Sequence, residues 1–536
     1  MLSRRLILIF VLLWLLPVLA CNYPLEGAGT SSSQEQARET LVAQLVATAW
    51  EFNSIEQADP GPVESVLQET AQAIDQPANP GLAATIISDP EPDPPADGSP
   101  LRSDPYYFYY TVQPGDTLAA LAGRFEVDIT QITSSAPIRQ DGLLPAGLLL
   151  VIPNLSERVY DLPVLFPDSE VILSPTSVDF SIDHYIVSSG GYLSTYSEEV
   201  DDEMLTGAEI LRRVAYDTSI NPRLLLAMLE YRSGWVRGQP RTPQTETHPF
   251  GFYVPGYSGL YKELALAAKQ LNMAYYAWRS GGLTQLRFPN GARQPIDPQA
   301  NAGTVAVQDV FARLYSPPYW EQVLYGSNNF SLLYEQMFAD PWSRAARAGD
   351  LFPAELVQPP LELPFLPGER WALTGGPHIT WNTGTPRGAV DFAPVTGEPA
   401  CAVSRAWVTA SASGLVTRSE RGVLVIDLDR DGFEQTGWAL VYLHIAESER
   451  VPAGTWVNVD DRIGHPSCEG GAATGTHVHL ARKFNGEWLP ASGVVPFILS
   501  GWEVQAGERA YEGYLVKGDR IVTARPEGSS SASIVR

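Results

Sequence analysis

Lysine and arginine are scarce: 36 of them stand against 61 aspartates and glutamates in 536 residues, a formal net charge of −25. That balance excludes nucleic acid as a partner, because phosphate contacts need clustered cations to neutralise the backbone. It fits a solvated acidic surface instead. Histidine is rarer still, with seven in the chain, so a cluster of histidines carries information. Five of the seven fall in the last third, and four of these, His378, His444, His477 and His479, make up the cluster. Cysteine numbers three: Cys21, Cys401 and Cys468. The apolar run at the N-terminus, Leu6 to Ala20, has fifteen residues and is short for a bilayer-spanning helix.

Arg4 and Arg5 precede that run and Val18-Leu19-Ala20-Cys21 closes it, the pattern of a signal peptide over residues 1–20. Small Ala20 directly before Cys21 resembles the lipobox of bacterial lipoproteins. The resemblance implies cleavage ahead of Cys21, lipid on its sulfur, and an extracytoplasmic protein anchored to the membrane at the cell envelope. An uncleaved anchor, or an ordinary signal with a free thiol, is the alternative. Cys401 and Cys468 then remain as an even count in a compartment where disulfides persist, and they are expected to pair at the rim of the histidine cluster.

A chain this long with 44% hydrophobic residues exceeds one core, and a multidomain α+β protein is expected. Residues 21–105 include Asp89-Pro90-Glu91-Pro92-Asp93-Pro94-Pro95 and read as an extended tether. Residues 106–155 open with Tyr110-Thr111-Val112-Gln113-Pro114-Gly115-Asp116-Thr117-Leu118 and close with Val151-Ile152-Pro153, a strand, two short helices and a strand. This resembles a LysM module of βααβ form, which implies binding to peptidoglycan glycan.

Residues 176–355 carry apolar positions at helical spacing over Leu205–Asp217 and Pro222–Arg232. Ile220 to Leu229, running into Ser233-Gly234-Trp235, is similar to the start of lysozyme-like lytic transglycosylase domains. That family places its acid glutamate just before the Ser-Gly-aromatic turn, where this chain has Arg232. Glu230 lies about 200° around a helix from that position, and an arginine releases no proton at neutral pH. The domain is therefore expected to be non-catalytic.

From 359 to 500 short β-branched and aromatic runs alternate with glycine turns, a sheet folded on itself. On a strand, His477 and His479 face one way while Val478 faces the core. Read with His378, Asp391 and His444, the pattern resembles the lysostaphin-type zinc peptidases. The thirteen-residue step from His378 to Asp391 and the stretch Cys468-Glu469-Gly470-Gly471 match the beta-lytic metalloendopeptidase branch. The resemblance implies that His378, Asp391 and His479 hold Zn2+ while His444 and His477 are the catalytic pair. His184, His248 and His465 are expected to be ordinary surface or structural residues.

Asp427, Asp429 and Asp431 ahead of Gly432 resemble half of a calcium loop, with Trp438 where a bidentate glutamate would stand. A solvated hairpin tip and a weak calcium site both fit. The tail 501–536 is expected to hold a further hairpin and a disordered Gly/Ser end. Together these features imply a wall-bound zinc metalloendopeptidase acting on peptidoglycan peptides. A non-catalytic peptidoglycan-binding lipoprotein that activates other wall hydrolases is the alternative.

Overall fold

The structure, a computed structural model, describes residues 106–536 other than Glu157, Asp161 and Ala354. The signal segment, Cys21 and the tether to residue 105 lie outside the described residues.

The N-terminal module pairs β1 (Tyr107–Thr111) antiparallel with β2 (Leu149–Pro153), and α1 (Leu118–Phe125) packs on them. Alternation puts Phe108, Tyr110, Leu150 and Ile152 inward against Leu121 and Phe125. Thr117 caps α1 by accepting from the Ala120 N–H. Asp116 is buried and accepts from Tyr110 Oη at 2.6 Å, the Gln113 N–H at 2.8 Å and Arg124 Nη1 at 2.8 Å, so the turn before α1 is fixed by one carboxylate. Of the two expected helices the second is a single 3-10 turn, Ile129–Gln131. Pro137, Pro145 and the left-handed Gly142 and Gly147 leave the following stretch no room for a longer helix.

The helical module is built from α2 (Ile182–Ser189), the hairpin β3 (Ser197–Val200) and β4 (Glu203–Thr206), α3 (Gly207–Thr218), α4 (Pro222–Ser233) and α5 (Pro243–Thr247). It continues through α6 (Leu260–Arg279), the hairpin β5 (Gln285–Arg287) and β6 (Arg293–Pro295), α7 (Ala302–Leu314), α8 (Pro317–Tyr325), α9 (Phe330–Phe338) and α10 (Pro341–Ala348). A capping box between Thr206 and Glu209 starts α3. Pro222 at the first turn starts α4 and left-handed Gly234 ends it. The twenty-residue α6 runs through the core, with Leu264, Leu271, Tyr275 and Trp278 fully or almost fully buried.

The C-terminal module is dominated by one antiparallel sheet. Its strands are β7 (Arg370–Ile379), β8 (Arg387–Pro394), β10 (Gly414–Glu420), β11 (Val423–Asp427), β12 (Trp438–Leu443), β13 (Trp456–Val457), β15 (Val478–Phe484), β16 (Glu487–Trp488) and β21 (Ser533–Val535). The order is β13-β10-β11-β12-β15-β8-β7-β21, with β16 added to β15. β9 (Val408–Thr409) pairs with β14 (Arg462–Gly464), and β17 (Ile498–Leu499), β18 (Trp502–Ala506), β19 (Gly513–Lys517) and β20 (Arg520–Thr523) form a meander.

The central strands are buried on both faces. Val390, Leu424, Leu440, Tyr442, Val478 and Leu480 join a core with the meander residues Trp502, Val504 and Leu515. Their strand neighbours Ala389, Val425, Val441 and Ala481 point the other way, into the core of the helical module. Hence these strands read as near-continuous apolar runs despite being antiparallel.

The expected tail is corrected. Residues from 501 on complete the fold: Trp502 anchors the meander, and beyond the Gly/Ser run Ile534 pairs with Trp371 and is buried. Two apolar residues at the end of a polar stretch, Ile534 and Val535, supply what the edge of β7 needs, a partner strand.

The three modules meet through buried charge. Arg279 on α6 reaches Asp168 at 3.0 Å, Glu487 at 3.1 Å and the Pro114 carbonyl at 2.8 Å. Tyr275 Oη donates to Glu487 at 2.7 Å, and the Trp488 N–H donates to Tyr276 Oη at 3.0 Å. Among the described residues no helix is long and apolar enough to cross a membrane.

Candidate metal centre and active site

The site lies where three neighbouring strands end. His479 on β15 is opposite Asp391 on β8 and Leu443 at the end of β12, and His378 stands near the end of β7. His378 Nε2 is 3.0 Å from His479 Nδ1, and Asp391 Oδ1 is 3.3 Å from both.

The tautomers follow from the partners of the other ring nitrogens. A carbonyl oxygen can only accept, so His378 Nδ1–H donates to Gly376 O at 2.9 Å and His479 Nε2–H donates to Thr380 O at 2.9 Å. The facing nitrogens therefore present lone pairs to each other. Asp391 Oδ1, buried and without a hydrogen-bond donor, adds a third acceptor. Three converging acceptors repel unless a cation lies among them. A tetrahedral ion with bonds of about 2.0–2.1 Å has ligand-to-ligand edges of about 3.3–3.4 Å, close to the 3.0–3.3 Å found here. The donor set fits a divalent metal.

Electrostatics point the same way. Burial lowers the His479 pKa and favours the neutral ring that binds metals. Burial opposes the charge on Asp391, but positive charge beside it outweighs burial and holds the carboxyl well below its ordinary range.

Gly375, opposite Asp391, makes room for the carboxylate, since a Cβ there would stand 2.4 Å from Asp391 Oδ2.

His444 and His477 form a second pair, with ring centroids 4.5 Å apart. His444 follows β12 with φ +62°, a left-handed turn at the end of the strand. Its Nδ1–H donates to Glu469 O at 2.8 Å, and His477 Nδ1–H donates to Gly475 O at 2.7 Å. Each ring is left with Nε2 as a base, that of His477 being 3.8 Å from Asp391 Oδ1. Burial, reinforced by His477 and His479, pushes the His444 pKa down to about 4.

Cys401 and Cys468 are bonded, 67 positions apart. The bridge ties the strand-entry segment to the site: Thr476 Oγ1 donates to Ala402 O, and Glu469 directly follows Cys468.

Sequence reasoning missed Tyr511. Its ring stacks on His378 at 4.2 Å and 18°, its carbonyl accepts the Gly376 N–H, and its own N–H donates to Pro377 O. Arg387, whose guanidinium donates to Gly507 O and Glu508 O, holds the same loop. The only signal was the conjunction of glycines at 376 and 513, where the two backbones touch.

The other candidates lie elsewhere. His465 is buried between Trp407 and Glu449, while His184 and His248 are on the helical module. Asp427, Asp429 and Asp431 gather at the β11–β12 tip, where their carboxylates accept the N–H groups of Asp429, Asp431, Gly432 and Phe433. In the helical module Glu230 accepts from the Val236 and Arg237 N–H groups at 2.9 Å, and Arg232 donates to Phe250 O and Tyr315 Oη. Buried Glu263 accepts from the N–H groups of Phe250, Gly251 and Phe252.

Residues 110–153 match the family model of the LysM domain, and residues 164–353 match that of the LasA N-terminal domain. The beta-lytic metalloendopeptidase of Achromobacter lyticus is 28% identical over 160 residues, 28% of this chain and 40% of that protein. Protease LasA of Pseudomonas aeruginosa strain PAO1 is 23% identical over 293 residues, 51% of this chain and 65% of that protein.

The chain is similar to a bacterial metalloendopeptidase and a bacterial protease. It spans less than two thirds of the length of both these relatives. The solved structure of pseudoalterin, an M23 metalloprotease from the deep sea, is 23% identical, covering 31% of this chain and 96% of that one at a TM-score of 0.27. The helical region, read from sequence as lysozyme-like, finds its match in the LasA N-terminal domain.

Proposed function

We propose that this protein is a zinc metalloendopeptidase that hydrolyses peptide bonds in the stem or cross-bridge peptides of peptidoglycan, held at the wall by its LysM module and at the membrane by lipid on Cys21. The convergence of His378 Nε2, Asp391 Oδ1 and His479 Nδ1 carries the reading. Similarity to the beta-lytic metalloendopeptidase and to protease LasA supports the reaction class, and the LysM match supports the wall as its location.

His378, Asp391 and His479 would hold the zinc. When bound, zinc supplies Lewis acidity that polarises the scissile carbonyl and acidifies water. One of the two Nε2 atoms, that of His444 or that of His477, each ring oriented by a backbone carbonyl, accepts the proton of the attacking water. The proton then passes to the leaving amine as the C–N bond breaks. The low pKa of His444 keeps its ring neutral and available as a base at neutral pH.

The test is zinc content and hydrolysis of peptidoglycan peptides by the chain, His479→Ala and His477→Ala. One zinc per chain, lost with activity in His479→Ala, and zinc kept but activity reduced by about 10²–10⁴ in His477→Ala, is the expected result. Zinc bound without cleavage of any fragment would sink the catalytic reading.

A further inference from the structure

The metal-bearing face of the sheet is also the face on which the helical module sits. Leu443, His479 and Asp391 lie side by side on β12, β15 and β8. Two residues along the same strands, on the same face, come Val441, Ala481 and Ala389, and these are in the core of the helical module. Their exposures are 0%. The open face thus ends about 7 Å from His479 and Asp391 in that direction, two residues of extended chain at about 3.3 Å each.

Trp381 stands at this boundary. It follows Thr380, whose carbonyl fixes His479, and it packs against the helical core, against Trp488 at 6.4 Å and under Arg418. Beyond it Gly384 lies directly against Met273 of α6, where a Cβ would come within 2.9 Å of the Met273 backbone nitrogen. In the opposite direction along β15 the surface is open: Gly471 is exposed, and His477 and Gly475 are half-buried.

The cover is not loosely held. Asp217 pairs with Arg418 at 2.5 Å and with Arg421 at 3.3 Å, and Arg279 pairs with Glu487, all in or at the edge of the buried interface. Ser219 Oγ donates to Gly486 O at 2.6 Å on the turn between β15 and β16.

We propose that the helical module is the closed end of the substrate groove, with Trp381 as the stop, so that an extended peptide has room for only about two residues past the scissile bond on one side. The other side accepts a long chain. This rests on the peptidase reading above, and it makes the helical module a determinant of specificity: the substrate is a peptide with a short arm.

The test uses the full chain loaded with zinc and peptides built around a bond it cleaves, lengthened one residue at a time on the amino or the carboxyl side. On one side kcat/KM is expected to fall at least tenfold at the third added residue, and on the other to stay level or rise. Trp381→Ala, checked to retain its zinc, is expected to shift that limit outward by at least one residue. Equal tolerance of both arms overturns the groove proposal while leaving the peptidase intact. No cleavage at any length overturns both. If Trp381→Ala does not fold, the length series on the unaltered chain still decides, with Met273→Ala as the second variant at the same edge.

Discussion

Replacing Gly375 by alanine isolates the claim that a carboxylate completes the metal centre. The added Cβ would lie 2.4 Å from Asp391 Oδ2 and 3.0 Å from Cγ. Asp391 must retreat by about 0.6 Å to reach even a 3.0 Å contact, several times the tolerance of about 0.2 Å that metal–ligand distances allow. Rotation of the carboxylate would carry Oδ1 away from the two imidazole nitrogens, now 3.3 Å distant. We expect zinc affinity to fall by at least 10–100-fold, the range for disturbed support of a ligand, and overpacking to remove about 1–3 kcal/mol of stability. Competition with a chromogenic chelator measures the first and urea unfolding the second. Gly376→Ala perturbs the other side of the centre: its Cβ would strike the Glu512 backbone at 2.7 Å and displace the Tyr511 loop that stacks on His378, leaving Asp391 in place. Unchanged zinc affinity in Gly375→Ala would refute the assignment of Asp391 as a ligand.

Three further outcomes are expected. Glu487→Ala leaves Arg279 buried with Asp168 as its remaining carboxylate and should remove about 3 kcal/mol or more, with Arg279→Ala non-additive to it in a double-mutant cycle read by urea unfolding. Reducing the Cys401–Cys468 bond, which spans 67 positions, should lower stability by about 4 kcal/mol and, by loosening Glu469 O, slow catalysis more than it weakens zinc binding. Burial, against the pull of three N–H donors, pushes the Glu263 pKa from 4.5 up to about 7, so the folded chain holds a proton that the unfolded chain releases. Its contribution is therefore full below about pH 4.5 and lost as pH rises through 7, up to about 3 kcal/mol. Urea midpoints from pH 4.5 to 7.5 should show a smaller decline in Glu263→Gln than in the unaltered chain.

The residues of the candidate centre were legible because their spacing is local or repeats a known order: His477 and His479 share a face by strand alternation, and Asp391 sits in its own short motif. The disulfide was legible from an even count. What was not legible depends on surfaces meeting. Tyr511 reaches His378 from a loop between two strands of the meander, and nothing in its own neighbourhood marks it as part of a site. Arg279 looks like the end of an amphipathic helix until Pro114, Asp168 and Glu487 are brought around it from three modules. The Gly/Ser run near the C-terminus carries the composition of a disordered end, yet Ile534 beyond it closes the sheet.

The same dependence explains why the C-terminal module is not separable by inspection. Ala389, Val425, Val441 and Ala481 are apolar on the face that carries the metal residues, a pattern that would expose a hydrophobic patch if that face were bare. The carbonyl that fixes His479 belongs to Thr380, at the start of a loop clamped between Trp488 and α6. Orientation of a metal ligand by its hydrogen-bond acceptor is worth as much as one to two orders of magnitude in affinity. The helical module therefore holds the loop that sets the imidazole plane, and removing it would expose the apolar face and free that loop in one step. A stable sheet and a preorganised centre here depend on the same interface.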